Sequence, residues 1–425
     1  MADLKNILPQ KSETVQAIES YWKQRGSSEK PRRYLGGSEI GKDCARSLWY
    51  SFRRCSKTDF DGRLHRLFNR GHREEATFVE ELRGIGCEVH EFDANGNQFE
   101  VIACNGHFKG HTDGAALGVP EAPKTWHLLE MKTSSSKLFA KVQKEGVEKA
   151  KPQHFAQMQV YMHLTGLKRA LYMVVNKDND ELYTERVRHD SKRAQALIDK
   201  AESIINATTP PERISDRPDS FACKFCDAKA LCHKTSEVAV EVPKLDCRQC
   251  VHATPIEDGE WACKLKDCDA TEPCDHHLFL PGLVDFATPT DALTCYDGSD
   301  VIEFTNADGT VWHHGPDGEA GQYSSAVLMT TPIDLLLESD KQPKGDDSRA
   351  GANLESKYNK ELDGVNVVWK GPKSQLWDAF ANQFDAPMQN PRATQSGDGW
   401  EAAEFNPGAC VIIYGNKAEM RTITQ

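Results

Sequence analysis

Long apolar runs are missing from this sequence: no stretch approaches the ~18–20 apolar residues that a bilayer span requires. The opening residues, MADLKNILPQKSETVQ, lack the apolar heart of a secretory signal. These absences lead to the expectation of a cytoplasmic protein without a membrane partner. No Walker A motif occurs, which excludes an ATP-driven motor within the chain, and no internal repeat occurs. Basic residues are scarce in the back half. Residues 1–235 hold 38 Lys and Arg against 32 Asp and Glu, whereas residues 236–425 hold 14 against 32. The front half can therefore meet a polyanion, and the back half repels one.

Cysteine, by contrast, is abundant, with fourteen in the chain. In a reducing compartment clustered cysteines read as metal ligands and not as disulfides. A chain of 425 residues is too long for one ordinary core, so two or three domains are expected.

The front half alternates between helical and strand periodicity. Residues 12–25 have the spacing of an amphipathic helix with a Ser cap, and 62–86 read as a helix pair or one long helix. Residues 87–104 alternate around Asn-Gly, a hairpin signal. GHFKGHTDGAALGV and TWHLLEMKT supply two further strands, and 151–167 a helix with Pro in its first turn. A second hairpin and a capped helix, 190–207, follow. The fold class expected is α/β (α+β), a central mixed β-sheet flanked by helices over 1–236.

Within the strand pair, Glu130 and Lys132 stand at i and i+2 and so share a face, toward which Asp113 can converge. Two carboxylates and a backbone carbonyl make a hard-oxygen site of the kind Mg²⁺ or Mn²⁺ prefers. An adjacent Lys suits phosphodiester hydrolysis, which builds negative charge at the phosphate. Upstream, His72 and Glu75 lie on one helix face; downstream, Gln157 and Tyr161 stand at i and i+4.

The ordered set G-H-x-x-E, G-H-x-D-G, E-x-K and Q-x-x-x-Y resembles the PD-(D/E)XK nucleases over roughly residues 35–235. More narrowly it resembles the branch holding the RecB nuclease domain, lambda exonuclease and the CRISPR-associated adaptation nucleases. The resemblance implies a restriction-endonuclease-like core and a metal-dependent DNA nuclease. It makes Asp113 and Glu130 metal ligands, with the Met131 carbonyl a third, and Lys132 the catalytic lysine. His72 matches the metal-binding His of the RecB-like members and Glu75 the helical Glu of the phage exonucleases. Gln157 and Tyr161 match the helix that contacts DNA. Thr112 stands where the family motif is usually written with Pro.

Cys223, Cys226 and Cys232 form a C-x2-C-x5-C triplet that needs a fourth thiolate, and Cys44 is available. One early Cys and three after the core resemble the iron–sulfur staple of the RecB-like branch, which implies a [4Fe-4S] cluster. The alternative is Zn²⁺ at the same site, with His233 as a possible ligand. Farther on, five cysteines fall within 28 residues. Cys247, Cys250, Cys263 and Cys274 make a structural Zn²⁺ site the expectation, with Cys268, His252, His276 and His277 as alternates.

The expected domains are thus 1–236, a zinc-ribbon-like module at 244–282, and an acidic, strand-containing region at 283–425. In that last region NADGT reads as a hairpin turn, 341–356 as a mobile loop and QLWDAFANQF as an amphipathic helix. Two functions are expected from this reading. The first is a DNA exonuclease of phage or prophage recombination or replication, working in a bacterial host cell. The second is a non-catalytic or regulatory DNA- or protein-binding protein on a nuclease scaffold. In the second, the acidic region would bind a partner or mimic DNA, and a recombination or replication protein is the partner expected for it.

Overall fold

The computed structural model describes residues 12–28, 32–236, 238–294, 300–316 and 321–332, with the backbone of five strands between 365 and 423. The expected loop at 341–356 and the helix QLWDAFANQF lie outside the described residues. The chain forms two compact units, Met1–Gly318 with Gln322–Ile333, and Glu319–Gly321 with Asp334–Gln425. The expected boundaries at 236 and 282 fall inside the first unit.

The first unit opens with α1 (Glu13–Ser27), β1 (Leu35–Gly36), α2 (Ala45–Phe52) and α3 (Gly62–Gly84). Strands β2 (Glu88–His90), β3 (Glu100–Ala103), β4 (Phe108–His111), β5 (Ala115–Leu117) and β6 (His127–Ser134) follow. Next come α4 (Ser136–Ala150), α5 (Pro152–Thr165), β7 (Arg169–Asn176), β8 (Leu182–Arg188), α6 (Ser191–Asn206) and α7 (Lys229–His233). Local chemistry sets the helix starts. Ser12 Oγ accepts from Val15 N, Asp61 from Leu64 N, and Asp190 from Lys192 N and Arg193 N. Caps of this kind stabilise a helix by about 1 kcal/mol each. Residues 62–84 form one helix, and Gly166, at φ +76°, ends α5 in the left-handed conformation glycine adopts freely.

The central sheet runs β2-β5-β6-β7-β8. Only β6 and β7 pair in parallel, the crossover between them being α4 and α5, so the sheet is mixed. Leu129, Met131, Leu171, Met173 and Val175 pack with Phe78, Val79 and Leu82 of α3 in one buried cluster. Each such side chain contributes about 1.5–3 kcal/mol by burial. Alternation along β6 then turns Glu130 and Lys132 away from that cluster.

A smaller sheet, β1-β4-β3, lies beside the central one in the chain path. It corrects the hairpin expected over 87–104. The Asn-Gly turn forms, with Asp93 Oδ1 accepting from Asn95 N and Asn97 N, and one bridge joins Phe92 to Gln98. Beyond it β2 pairs with β5 and β3 with β4, so the two strands serve different sheets. Partners distant in sequence outcompete the local pairing.

The second cysteine segment forms β9 (Ala253–Pro255), β10 (Trp261–Cys263) and β11 (Cys268–Asp269). Arg248, inside the CxxC knuckle, is buried and donates to Arg33 O at 2.8 Å and Phe52 O at 3.3 Å. Arg53 of the segment after α2 stacks over Trp261 and donates to Arg248 O. Burial pulls both guanidinium groups down to about 10. Beyond the module are β12 (Thr288–Thr294), β13 (Asp300–Thr305), β14 (Val311–His314), β15 (Gln322–Tyr323) and α8 (Ser325–Thr330). The expected NADGT turn joins β13 to β14, with Trp312 Nε1 donating to Asn306 Oδ1.

The second unit carries β16 (Val365–Pro372), β17 (Ala393–Gly397), β18 (Trp400–Phe405), β19 (Ala409–Tyr414) and β20 (Lys417–Ile423). They form an antiparallel sheet in the order β16-β20-β19-β18-β17.

Two glycines test the packing. A Cβ at Gly110 would run into the ring and hydroxyl of buried Tyr161, whereas one at Gly71, within α3, would meet nothing within 4 Å. Gly110→Ala should lower unfolding free energy by ~1–3 kcal/mol, and Gly71→Ala should raise it by ~0.5–1 kcal/mol. Urea titration of both variants checks the contrast.

Candidate active site

Asp113 sits in the break between β4 and β5, where the chain passes from the small sheet to the central one. Gly114, at φ +119°, makes that passage; a Cβ there would press on His90 O. The turn brings the Asp113 carboxylate to β6, where Oδ2 accepts from Met131 N at 2.7 Å. Glu130 is 1% exposed. Its Oε2 accepts from Gln157 Nε2 of α5 at 2.9 Å, and its Oε1 pairs with the Lys132 ammonium at 2.7 Å.

The Lys132 ammonium is the centre of this arrangement. It stands 2.7 Å from Glu130 Oε1, 3.0 Å from Met131 O and 3.4 Å from Asp113 Oδ2. These are the same three oxygen groups the sequence marks as ligands of a divalent ion. Among the described residues no three His, Cys, Asp or Glu side chains converge to hold a metal. Here the space between the carboxylates contains the chain's own cation.

Burial drives the electrostatics. It raises Glu130 to about 7, against the opposing pull of Lys132 and with help from Asp113 and Glu75. Burial lowers Lys132, yet Glu130 and Asp113 outweigh it and hold the ammonium above its ordinary value. Glu75 of α3 belongs to the same group: burial and then Asp113 raise its carboxyl, and His72 and Lys132 oppose them. His72 stands outside, its side chain 75% exposed and its Nδ1 3.6 Å from Glu75 Oε1. Of the two candidates on α3, Glu75 is therefore the one that feels the buried carboxylates.

Gln157 and Tyr161 are both buried, at 6% and 2% exposure. They meet the site from inside the protein and do not offer it a surface. Tyr161 lies against Gly37 and Gly110, where side chains would collide with its ring. Burial raises its hydroxyl pKa, and Glu130 and Asp113 add to the shift.

Two contributors escape the sequence reading. Tyr172 stands opposite Glu130 in the β6–β7 register, and its hydroxyl bonds His154 Nδ1 at 2.8 Å. Burial, then Lys132, lowers His154 to about 3, so the imidazole is neutral and adds no second cation. The spacing of His154 to Gln157, i and i+3 on one helix face, is the signal that would have found it.

Cys44, Cys223, Cys226 and Cys232 line one cavity of about 350 Å³, together with His233. Cys44 caps α2, its Sγ accepting from Ser47 N, and Cys226 is raised by burial and by Cys44 and Cys232. In the second group burial pushes Cys247 up to about 12, with Cys250, Asp246, Cys263 and Cys274 adding to it. Cys268 is exposed. Both ring nitrogens of His277 are engaged, by Ser325 Oγ and Asp246 O, and His252 faces Asp300 at 3.7 Å.

No family model and no curated protein matches the chain. Among solved structures it is similar to SSO0001 at 15% identity and a TM-score of 0.32, over 52% of this chain and 96% of that one. It is also similar to LHK-Exo, an alkaline exonuclease from Laribacter hongkongensis, at 16% identity over 44% of this chain and 90% of that one. The TM-scores there are 0.31 for the complex with dAMP and 0.28 for the second structure. Likeness of this degree decides no chemistry, which rests on the side chains described above.

The raised Glu130 carboxyl has a definite consequence for pH. Its folded pKa, about 7, lies above the ordinary value of 4.5. Between those values the folded protein holds the extra proton, so this group's contribution to stability falls as pH rises. Wild-type stability relative to Glu130→Gln should therefore decline from pH 5 to pH 8. Urea midpoints measured across that range check the sign.

Proposed function

We propose that this chain is a divalent-metal-dependent deoxyribonuclease, acting as an exonuclease on DNA ends in phage or prophage recombination or replication. One observation carries the reading: a single ammonium is held by Asp113, Glu130 and the Met131 carbonyl together. The donor chemistry fits a hard cation, since every contributor is an oxygen and buried Glu130 Oε1 already faces a cation, the Lys132 ammonium, at 2.7 Å. Asp113, Glu130 and the Met131 carbonyl would hold Mg²⁺ or Mn²⁺, with Glu75 beside them. The ion would supply Lewis acidity and a water of lowered pKa.

The chain's own groups supply the rest. Lys132 stays protonated at neutral pH, because the carboxylates raise its pKa. Its ammonium offsets the negative charge that builds on a phosphate under attack. Gln157 fixes Glu130 through Oε2 and leaves Oε1 directed at the shared space. The neutral His154–Tyr172 pair ties α5 to β7, opposite Glu130 in the register.

The cavity lined by Cys44, Cys223, Cys226 and Cys232 supports a [4Fe-4S] cluster. Four thiols around a common cavity suit the four thiolate ligands of such a cluster. The grouping of Cys247, Cys250, Cys263 and Cys274 supports a structural Zn²⁺.

Purified protein with Mg²⁺ or Mn²⁺ should degrade end-labelled linear DNA and spare closed circles. Asp113→Ala, Glu130→Ala and Lys132→Ala should each slow this by ~10²-fold or more. Lys132→Ala cleaving at the wild-type rate would overturn the assignment, and equal cutting of circles would make the enzyme an endonuclease.

Protein purified without oxygen should be brown, absorbing near ~400 nm through thiolate-bound iron. Cys44→Ala should bleach it. Colourless protein containing zinc and no iron would assign zinc to both cysteine groups.

A further inference from the structure

One cysteine of the second group is spare. Cys247, Cys250, Cys263 and Cys274 supply the four thiolates that a structural zinc site takes, and Cys268 is the fifth cysteine of the same segment. Burial raises the Cys247 and Cys250 thiols, and a charge on Cys263 adds to both shifts, so Cys263 lies within the group. Cys268 stands on β11, where both residues are exposed.

The strand register sets Cys268 directly opposite Cys263. Strands β10 and β11 are antiparallel, with Ala262 facing Asp269 and Cys263 facing Cys268, and the turn 264–267 joins them. Ala270 N donates to Trp261 O at 2.7 Å, which makes 261 and 270 a hydrogen-bonded pair. The alternation of an antiparallel ladder then makes Cys263 and Cys268 a pair of the same kind, two positions on. Partners of that kind have Cα atoms ~5.5 Å apart and side chains on one face. A disulfide spans Cα separations of ~4.4–6.8 Å.

The two strands are held unequally. Trp261, on the same face of β10 as Cys263, is buried against Phe52 and beneath the Arg53 guanidinium. The two-residue strand β11 is the edge of the sheet β11-β10-β9. Cys263 is therefore anchored, and Cys268 is the partner that can shift. An accessible thiol beside a second thiol able to close on it is the arrangement of a redox sensor and its resolving cysteine.

We propose that hydrogen peroxide links Cys268 to Cys263 in a reversible disulfide, which withdraws Cys263 from the metal and releases zinc. The release rests on the structural-zinc reading; the disulfide does not. The Cys268 thiolate attacks one peroxide oxygen, the O–O bond breaks, and a sulfenic acid and hydroxide form. The Cys263 sulfur then attacks the Cys268 sulfur, the S–O bond breaks, and a second hydroxide leaves. The sulfurs lose two electrons to the peroxide, and two protons turn both hydroxides into water. Three thiolates remain for an ion that structural sites hold with four ligands.

The test is oxidation of full-length protein purified with its metals. Wild type, Cys268→Ser and Cys268→Ala are exposed to hydrogen peroxide, desalted and analysed for bound zinc. Peptide mass spectrometry after blocking of free thiols locates any disulfide. Wild type should form the Cys263–Cys268 crosslink, lose zinc in step with it, and regain its zinc on treatment with dithiothreitol and zinc. Both variants should contain as much zinc as wild type beforehand and keep it through the same exposure. No crosslink, a crosslink at another pair, or equal zinc loss in the variants would overturn the proposal. Variants short of zinc before exposure would make Cys268 a ligand, which overturns it too. A Cys263–Cys268 crosslink in protein that never contained zinc would uphold the redox pair and remove the zinc reading.

Discussion

A positive charge seated among buried oxygens is the constraint from which the rest of the first unit follows. Glu130 is almost wholly removed from water, and an isolated carboxylate there would be costly. Lys132 compensates it at 2.7 Å, Asp113 shares the ammonium at 3.4 Å, and Gln157 satisfies the remaining oxygen. Such a set is stable only if all its members are held, and three elements hold them. The β4–β5 break positions Asp113, β6 carries Glu130 and Lys132, and α5 brings Gln157. The apolar side of the same strand, locked against α3, keeps β6 from sliding.

The same arrangement leaves little room for change nearby. Tyr161 fills the space between α5 and the small sheet because Gly37 and Gly110 have no side chains. His154, two turns before it, is held neutral by burial and by Lys132 and bonds Tyr172 under the sheet. The site thus has one cation on a long stem, Lys132, among fixed oxygens. The groups around it are packed, bonded or backbone.

Much of this was legible locally. Residues i and i+2 on a strand must share a face, and a carboxylate flanked by glycines must lie at a turn, so Asp113, Glu130 and Lys132 could be grouped from spacing alone. Helix starts were legible from Ser12 and Asp190, whose side chains bond the backbone within the next few residues. What failed depended on distant partners. The Asn-Gly turn formed as expected, but β2 and β3 went to separate sheets, because β4 and β5 offered each a better edge. The expected boundary near 236 lies inside the first unit. Arg248 reaches back to Arg33 and Phe52 and ties the second cysteine segment to the first unit. The burial of Tyr161 and Gln157 was likewise invisible, since helical spacing gives a face and not what covers it.

The central claim is that Lys132 stands where the carboxylates would otherwise hold a divalent ion. Mn²⁺ binding, read by electron paramagnetic resonance on wild type and Lys132→Met, tests this most directly. The account predicts that the variant binds Mn²⁺ at least as tightly as wild type while losing cleavage, because a competing cation is gone and its charge is missing from the reaction. Loss of Mn²⁺ binding in Lys132→Met, with the fold intact, would contradict it.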